Sequence, residues 1–178
     1  MICHMPFLVG AGNLTEGEML PGSLALASFF DLPLIKFSCV QSPNSVFKSL
    51  PKNDALFHLT GDSAVSFPDG GNWLESLGAW RKPIILMVLP TSSGEIPGLA
   101  AAYFSLAKSL FVPVIGMVQL GGVWDANQRS LDGLPWCGCI SDEFKRLNNH
   151  DFDPNASTDP FIVGENIKRR MILMGLKD

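Results

Sequence analysis

A chain of 178 residues, 47% hydrophobic and 17% charged, is long enough to bury a core as one domain spanning 1–178. Its formal net charge is −4, with 13 Lys and Arg against 17 Asp and Glu. That balance, without a large basic cluster, excludes a surface built to hold a nucleic-acid backbone or an anionic membrane.

The first apolar run, residues 7–9, reads as a strand, and the segment after it carries the most informative pattern. Gly12-Asn13-Leu14-Thr15-Glu16-Gly17-Glu18-Met19 has the glycine spacing of a Walker A loop, G-x-x-x-x-G-K-[ST]. Such a loop needs a lysine for the β- and γ-phosphates and a hydroxyl for Mg²⁺. Here Glu18 and Met19 occupy those positions. A carboxylate repels a triphosphate, and a thioether does not hold a hard cation. The segment is therefore either a degenerate loop that no longer hydrolyses ATP or a chance spacing. The same residues also fit a capping box, Thr15-x-x-Glu18, opening a helix with Pro21 in or near its first turn.

Four further runs, 34–40, 55–59, 84–89 and 112–118, are almost continuously apolar, as expected for parallel strands covered on both faces. Pro33, Pro83 and Pro113 stand at the start of three of them, where a missing donor costs little. Helical patterns fall between the runs. Residues 22–30 are small and apolar, with Ser23 a possible cap, and 72–80 follow helical spacing. Residues 98–110 repeat Leu99, Ala102, Tyr103, Leu106 and Leu110 on one face, and 164–176 form a final amphipathic helix. Residues 148–160 are polar and proline-containing, a connector before that helix. Strand–helix alternation of this kind predicts an α/β fold with a mainly parallel sheet flanked by helices.

Residues 98–121 are apolar over about the length of a membrane span, but Lys108 and Pro113 divide them into two buried elements. Lys168, Arg169 and Arg170 read as a solvated helix face. The cysteines are Cys3, Cys39, Cys137 and Cys139, and the N-terminus carries no basic segment followed by a long apolar one. Free thiols in a reducing, cytoplasmic setting are expected. Cys137-Gly138-Cys139 could pair with Cys3, His4 or His58 around a metal, but zinc pairs favour wider spacing. Buried cysteines are expected instead, with no metal and no cofactor.

The order of these pieces resembles dethiobiotin synthetase, within the P-loop ATPases that include the cobyrinic acid amidating enzymes. Four stretches carry the resemblance. Thr15-Glu16-Gly17 looks like the family's Thr-Glu-Val-Gly. Residues 54–61, Asp-Ala-Leu-Phe-His-Leu-Thr-Gly, stand where the family has an apolar strand ending in Glu-Gly-Ala-Gly-Gly. Residues 82–89, the loop from Thr91 to Gly94, the 98–110 helix and 112–119 follow its strand, Asn-His loop, helix and strand. Leu134-Pro135-Trp136 with Gly138-Cys139-Ile140 is similar to the segment around its late Ile-Pro. The resemblance implies a P-loop NTPase-like three-layer sandwich and a homodimer. The aromatics Trp73, Trp80, Phe104 and Trp124 are candidates for the dimer surface.

The departures fall on the chemistry. Besides Glu18 and Met19, the acidic residue and glycines after the third strand become Thr60-Gly61-Asp62-Ser63-Ala64. The Asn-His gives way to residues around Glu95, and the family's base-reading asparagine becomes Gln119, with Asn127 a distant candidate. The stretch with the substrate lysine and an acidic Mg²⁺ ligand shrinks to 41–53, with Lys36 one strand position from that lysine. Phosphoryl transfer is mostly positioning and charge neutralisation, so losing lysine and metal removes its source of rate.

The expected function is a non-catalytic domain acting as a ligand-binding or protein-interaction module, its partner an unknown small molecule or protein. The alternatives are an active ATP-dependent ligase of biotin biosynthesis with a rewired site, and a flavodoxin-like domain. No catalytic residue is assigned. Ligand-binding candidates sit at the strand ends, where open α/β sheets bind ligands: Gly12, Thr15, Gly17 and Glu18 in the first loop, Thr60, Gly61 and Asp62 after the third strand, Thr91, Ser92, Ser93 and Glu95 after the fourth. Loops 10–18, 60–66 and 91–97 would build a neutral or acidic pocket. The plain alternatives are turn and cap hydroxyls and solvated acids. His58 reads as a packed core histidine, and Cys39 has nothing nearby to make it a nucleophile.

Overall fold

The computed structural model describes residues 5–141 and 160–176. Six strands form one sheet: β1 (Phe7–Gly10), β2 (Leu34–Ser38), β3 (Leu56–Thr60), β4 (Ile84–Val88), β5 (Val114–Leu120) and β6 (Trp136–Ile140). Every neighbouring pair is parallel, in the order β2-β3-β1-β4-β5-β6. Among the described residues six helices connect and flank them: α1 (Glu16–Phe30), α2 (Pro43–Ser49), α3 (Trp73–Ala79), α4 (Gly98–Ser109), α5 (Ala126–Leu131) and α6 (Pro160–Leu173). The crossover from β1 to β2 runs one way along the sheet and all later ones run the other. Right-handed crossovers then place α1 on one face and α2, α3 and α4 on the opposite face. The last helix, α6, packs on α1 and on β5 and β6. The result is an α/β three-layer sandwich, consistent with a P-loop NTPase-like arrangement. A flavodoxin-like order would place β1 between β2 and β3, so that alternative is set aside.

Continuous apolar runs became the central strands for the reason the sequence suggests. Both faces of β1, β3 and β4 are covered, and Phe7, Leu8, Leu56, Leu59, Ile84, Ile85 and Leu86 are wholly buried. Each such side chain contributes roughly 1.5–3 kcal/mol by leaving water. The edge strand β2 is only half-buried and turns Lys36 outward, which discourages pairing with a further strand.

Three connections share one device. Asp31, Arg81 and Phe111 follow α1, α3 and α4 with φ of 52, 48 and 58°. After each, the next amide reaches back to the helix: Leu32 to Ala27 O, Lys82 to Leu77 O and Val112 to Ala107 O, at 2.8–3.0 Å. These are Schellman closures with a non-glycine residue in the left-handed position. Pro33, Pro83 and Pro113 follow, and their carbonyls accept from the neighbouring strands. Phe111 is 84% exposed, so its side chain gives little packing in return for its backbone strain. Phe111→Gly is expected to stabilise the fold by about 0.5–1 kcal/mol. A lowered urea midpoint in that variant would contradict the strain.

Several boundaries differ from the sequence reading. The first helix starts at Glu16, not at residue 22, and Thr15 caps it in place of Ser23. Pro21 is the sixth helical residue, beyond the first turn. Helices α2 and α5 and strand β6 were not foreseen as elements. On α4 the buried residues are Ala100, Tyr103 and Ala107, while Leu99 and Leu106 face outward. The final helix starts at Pro160. Within its basic run Lys168 pairs with Glu165 at 3.0 Å and lies 4.3 Å from the Phe29 ring, and Arg170 donates to Ile115 O, leaving only Arg169 fully solvated. The rest of the 148–160 connector lies outside the described residues, as do Cys3 and His4.

Candidate functional site

The loop after β1 is residues 11–15, five residues between the end of β1 and the start of α1. Glycine-like backbone is needed at Gly12, whose φ is 102° and whose added Cβ would lie 2.7 Å from Leu99 Cδ2. Leu99 of α4 thus sits against the loop at the switch point between β1 and β4. The counterparts of the Walker lysine and threonine lie inside α1. Met19 is wholly buried in the core, so its side chain is turned away from the loop.

Glu18 closes the start of α1. Its Oε2 accepts from Thr15 N and from Thr15 Oγ1, both at 2.7 Å, while Thr15 Oγ1 accepts from Glu18 N at 3.3 Å. This is the reciprocal capping box. The Thr15 backbone donor, then the Thr15 hydroxyl, hold the Glu18 carboxyl below its ordinary pKa. A helix N-terminus favours an anion, and here the chain supplies its own. Glu16, one residue in, pairs with Lys36 at 2.7 Å, and Lys36 holds the Glu16 carboxyl below its ordinary range. Lys36 is therefore already engaged with a carboxylate.

A cavity of about 500 Å³ opens at the carboxyl ends of β2 and β3. Asn13 reaches it from the first loop, Ser38, Cys39 and Val40 from the end of β2, and Gly61, Asp62 and residues 65–68 from the loop after β3. The walls are mainly Cys39, Val40, Val65, Phe67 and Pro68, with Asp62 the one charged lining residue. Its Oδ1 accepts from Ala64 N at 2.9 Å and from the Tyr103 hydroxyl. Burial, then Asp62, push the Tyr103 phenol above its ordinary pKa. Asp62 is thus a positioned acid on the cavity wall, not a freely solvated one. Burial and then the Asp62 charge push the Cys39 thiol up to about 12, so it stays protonated at neutral pH and is no nucleophile. The floor is held by Trp73, whose indole donates to Cys39 O at 3.2 Å and Gln41 O at 3.1 Å.

The remaining candidates are placed differently. Thr60 is bonded to Phe37 O at 3.2 Å and closes the β2–β3 ladder. Gly17 and Glu18 border a separate apolar groove of about 510 Å³ along α1, with Leu20, Pro21, Leu24 and Ile140. Thr91, Ser93 and Glu95 bond one another: Thr91 N donates to Glu95 O at 2.8 Å, and the Thr91 and Ser93 hydroxyls meet at 2.8 Å. Their loop forms a self-contained turn that does not line the cavity, and Ser92 is exposed within it. Gln119 is wholly buried, its amide donating to Gly121 O and Val123 O and accepting from Arg129. It presents no edge to a nucleobase. Asn13, Ser38, Val40, Phe67 and Pro68 were not singled out in the sequence.

His58 is buried on the α1 side of β3, as a packed histidine. Ser23 Oγ donates to Met19 O at 3.0 Å and lies 2.8 Å from His58 Nδ1. The other ring nitrogen, Nε2, has no hydrogen-bond partner among the described residues. Burial holds this histidine below its ordinary pKa; Glu16 opposes the shift and Lys36 adds to it. The native state therefore refuses a proton that the unfolded chain takes up near its ordinary pKa of about 6.5. Stability is full above about pH 6.5 and falls as the pH drops below it toward the lowered folded pKa. His58→Gln should flatten the loss between about pH 7 and 5 in urea titrations. An unchanged slope would assign the acid sensitivity elsewhere.

Among the described residues Cys39 and Cys137 are free thiols, Cys137 buried, and the buried Cys139 thiol donates to Gly121 O at 3.5 Å. No group of three His, Cys, Asp or Glu side chains is disposed to hold a metal, and no helix is long and apolar enough to cross a membrane, again among the described residues. No protein-family model matches the chain, and no curated protein matches it.

Proposed function

We propose that the chain is a non-catalytic domain of the dethiobiotin-synthetase-like kind, a cytoplasmic binding module whose ligand is not a nucleotide. The observation that carries this is the Glu18 carboxylate seated on Thr15 at the start of α1. A triphosphate there would have to displace a bound internal anion and then lie beside it, with no lysine to offset the repulsion. Lys36, compared above with a substrate lysine, is paired with Glu16. Among the described residues no Lys or Arg lines either cavity. The free Cys39 and Cys137 thiols are in keeping with a reducing compartment.

Self-association belongs to the same proposal, with altered support. Trp73 is in the core, Phe104 is half-buried under Lys108, and Trp124 meets Trp136 edge-to-face and lies against Arg129. Of the four aromatics only Trp80, half exposed, remains as surface. The functional reading is tested by steady-state phosphate release from MgATP. No turnover above buffer is expected, and millimolar MgATP should leave the unfolding temperature unchanged. Protein-dependent phosphate release that is lost in a Thr15→Ala variant would restore the enzyme reading.

A further inference from the structure

We propose that the cavity at the ends of β2 and β3 binds a small organic cation with an apolar body, with Asp62 as its counter-ion. This rests on reading the strand-end edge as a non-phosphate binding site. The cavity volume of about 500 Å³ lies within the usual range for small-molecule sites, which are mostly apolar with a few placed polar groups. Val40, Val65, Phe67 and Pro68 supply the apolar wall, and Asn13 and Ser38 the neutral polar groups. Asp62 is the only lining charge among the described residues. No cation offsets it: the ion pairs among the described residues are Lys36 with Glu16 and Lys168 with Glu165.

The carboxylate is also pre-oriented. Tyr103 and Ala64 both donate to Oδ1, and no hydrogen bond from the described residues reaches Oδ2. One oxygen fixes the group while the other is available. An uncompensated carboxylate on an apolar wall favours a cation and disfavours an anion. A metal ion is poorly matched, because Asp62 is the one carboxylate among the described lining residues, beside only the neutral oxygens of Asn13, Ser38 and Ser66. An ammonium needs one carboxylate and a surface for its carbon skeleton, and Phe67 places an aromatic side chain on the same wall.

Three probes of one shape separate the possibilities: phenethylamine, 2-phenylethanol and phenylacetate, followed by ligand-observed NMR and amide shift mapping on the full chain. The amine should bind at least tenfold more tightly than the alcohol and shift amides of the loop after β3, and phenylacetate should not bind. Asp62→Asn should bring the amine down to the affinity of the alcohol. Val65→Lys adds a competing cation at an exposed position and should weaken the amine similarly without loss of folding. Amine binding unchanged in both variants, or no amine binding at millimolar concentration, overturns the proposal. If the alcohol binds as well as the amine and the acid is excluded, only the cation assignment fails. If phenylacetate or inorganic phosphate binds the same loop, the non-phosphate reading of the edge fails with it.

Discussion

Trp73→Ala is expected to destabilise the protein by about 3–5 kcal/mol, the cost of emptying a large buried aromatic site. Trp73 is 1% exposed and is ringed by Phe7 and Phe47. Its indole also pins the turn after β2 that forms one wall of the cavity. Trp73→Phe keeps much of the packing but strips a donor from Cys39 O and Gln41 O, and should cost about 1–3 kcal/mol. Urea unfolding measures both. A loss below about 1 kcal/mol for the alanine variant would mean that Trp73 is surface after all, as the dimer expectation had it.

Gly78→Ala should cost about 3 kcal/mol, although alanine is the better helix former by about 1 kcal/mol. Gly78 lies in α3, and a Cβ there would run into the backbone carbonyl of Leu110, at the end of α4. A side chain could swing aside; a carbonyl fixed between a helix end and a strand cannot. Gly17→Ala is the matched contrast. It is exposed, in α1, with nothing within 4 Å of an added Cβ, and should be neutral or stabilising by up to about 1 kcal/mol. Equal losses at the two positions would contradict the close approach of α3 to the α4–β5 turn.

Much of the sheet was legible because burial on both faces forces long apolar runs, as in residues 84–88. Strand β6 was missed because Trp136-Cys137-Gly138-Cys139-Ile140 has one β-branched residue and two cysteines around a glycine, a composition without a strand signature. Helices α2 and α5 are seven and six residues long, and unlike the equally short α3 each is mostly polar, without an apolar stripe to read. Their signals were local: Pro43 at a helix start, and Asp125 accepting from Asn127 N and Gln128 N. The buried face of α4 was misread for a different reason. Hydrophobicity favours Leu99 and Leu106, but α4 turns the smaller Ala100 and Ala107 inward, which lets a helix approach a sheet closely.

At the site, the capping box of Thr15 and Glu18 was written in consecutive residues and could be read. The cavity was legible in part: the loops 10–18 and 60–66 supply Asn13, Gly61, Asp62, Val65 and Ser66, while the wall from Ser38 to Val40 and the part from loop 91–97 were not placed correctly. Asn13, Val40 and Asp62 meet only because β3 lies between β1 and β2, an order that no local pattern encodes. The Tyr103–Asp62 hydrogen bond spans 41 positions and was likewise invisible.

The most direct test of the central claim, that Glu18 closes the α1 N-terminus to phosphate, is calorimetric titration of MgATP into the wild-type protein and Glu18→Lys. Glu18 is exposed, so the substitution leaves the core intact, whereas replacing the buried Met19 as well would not. Wild type should give no binding heat up to millimolar nucleotide, with measurable affinity appearing only in the lysine variant. A micromolar dissociation constant for the wild type would contradict the claim.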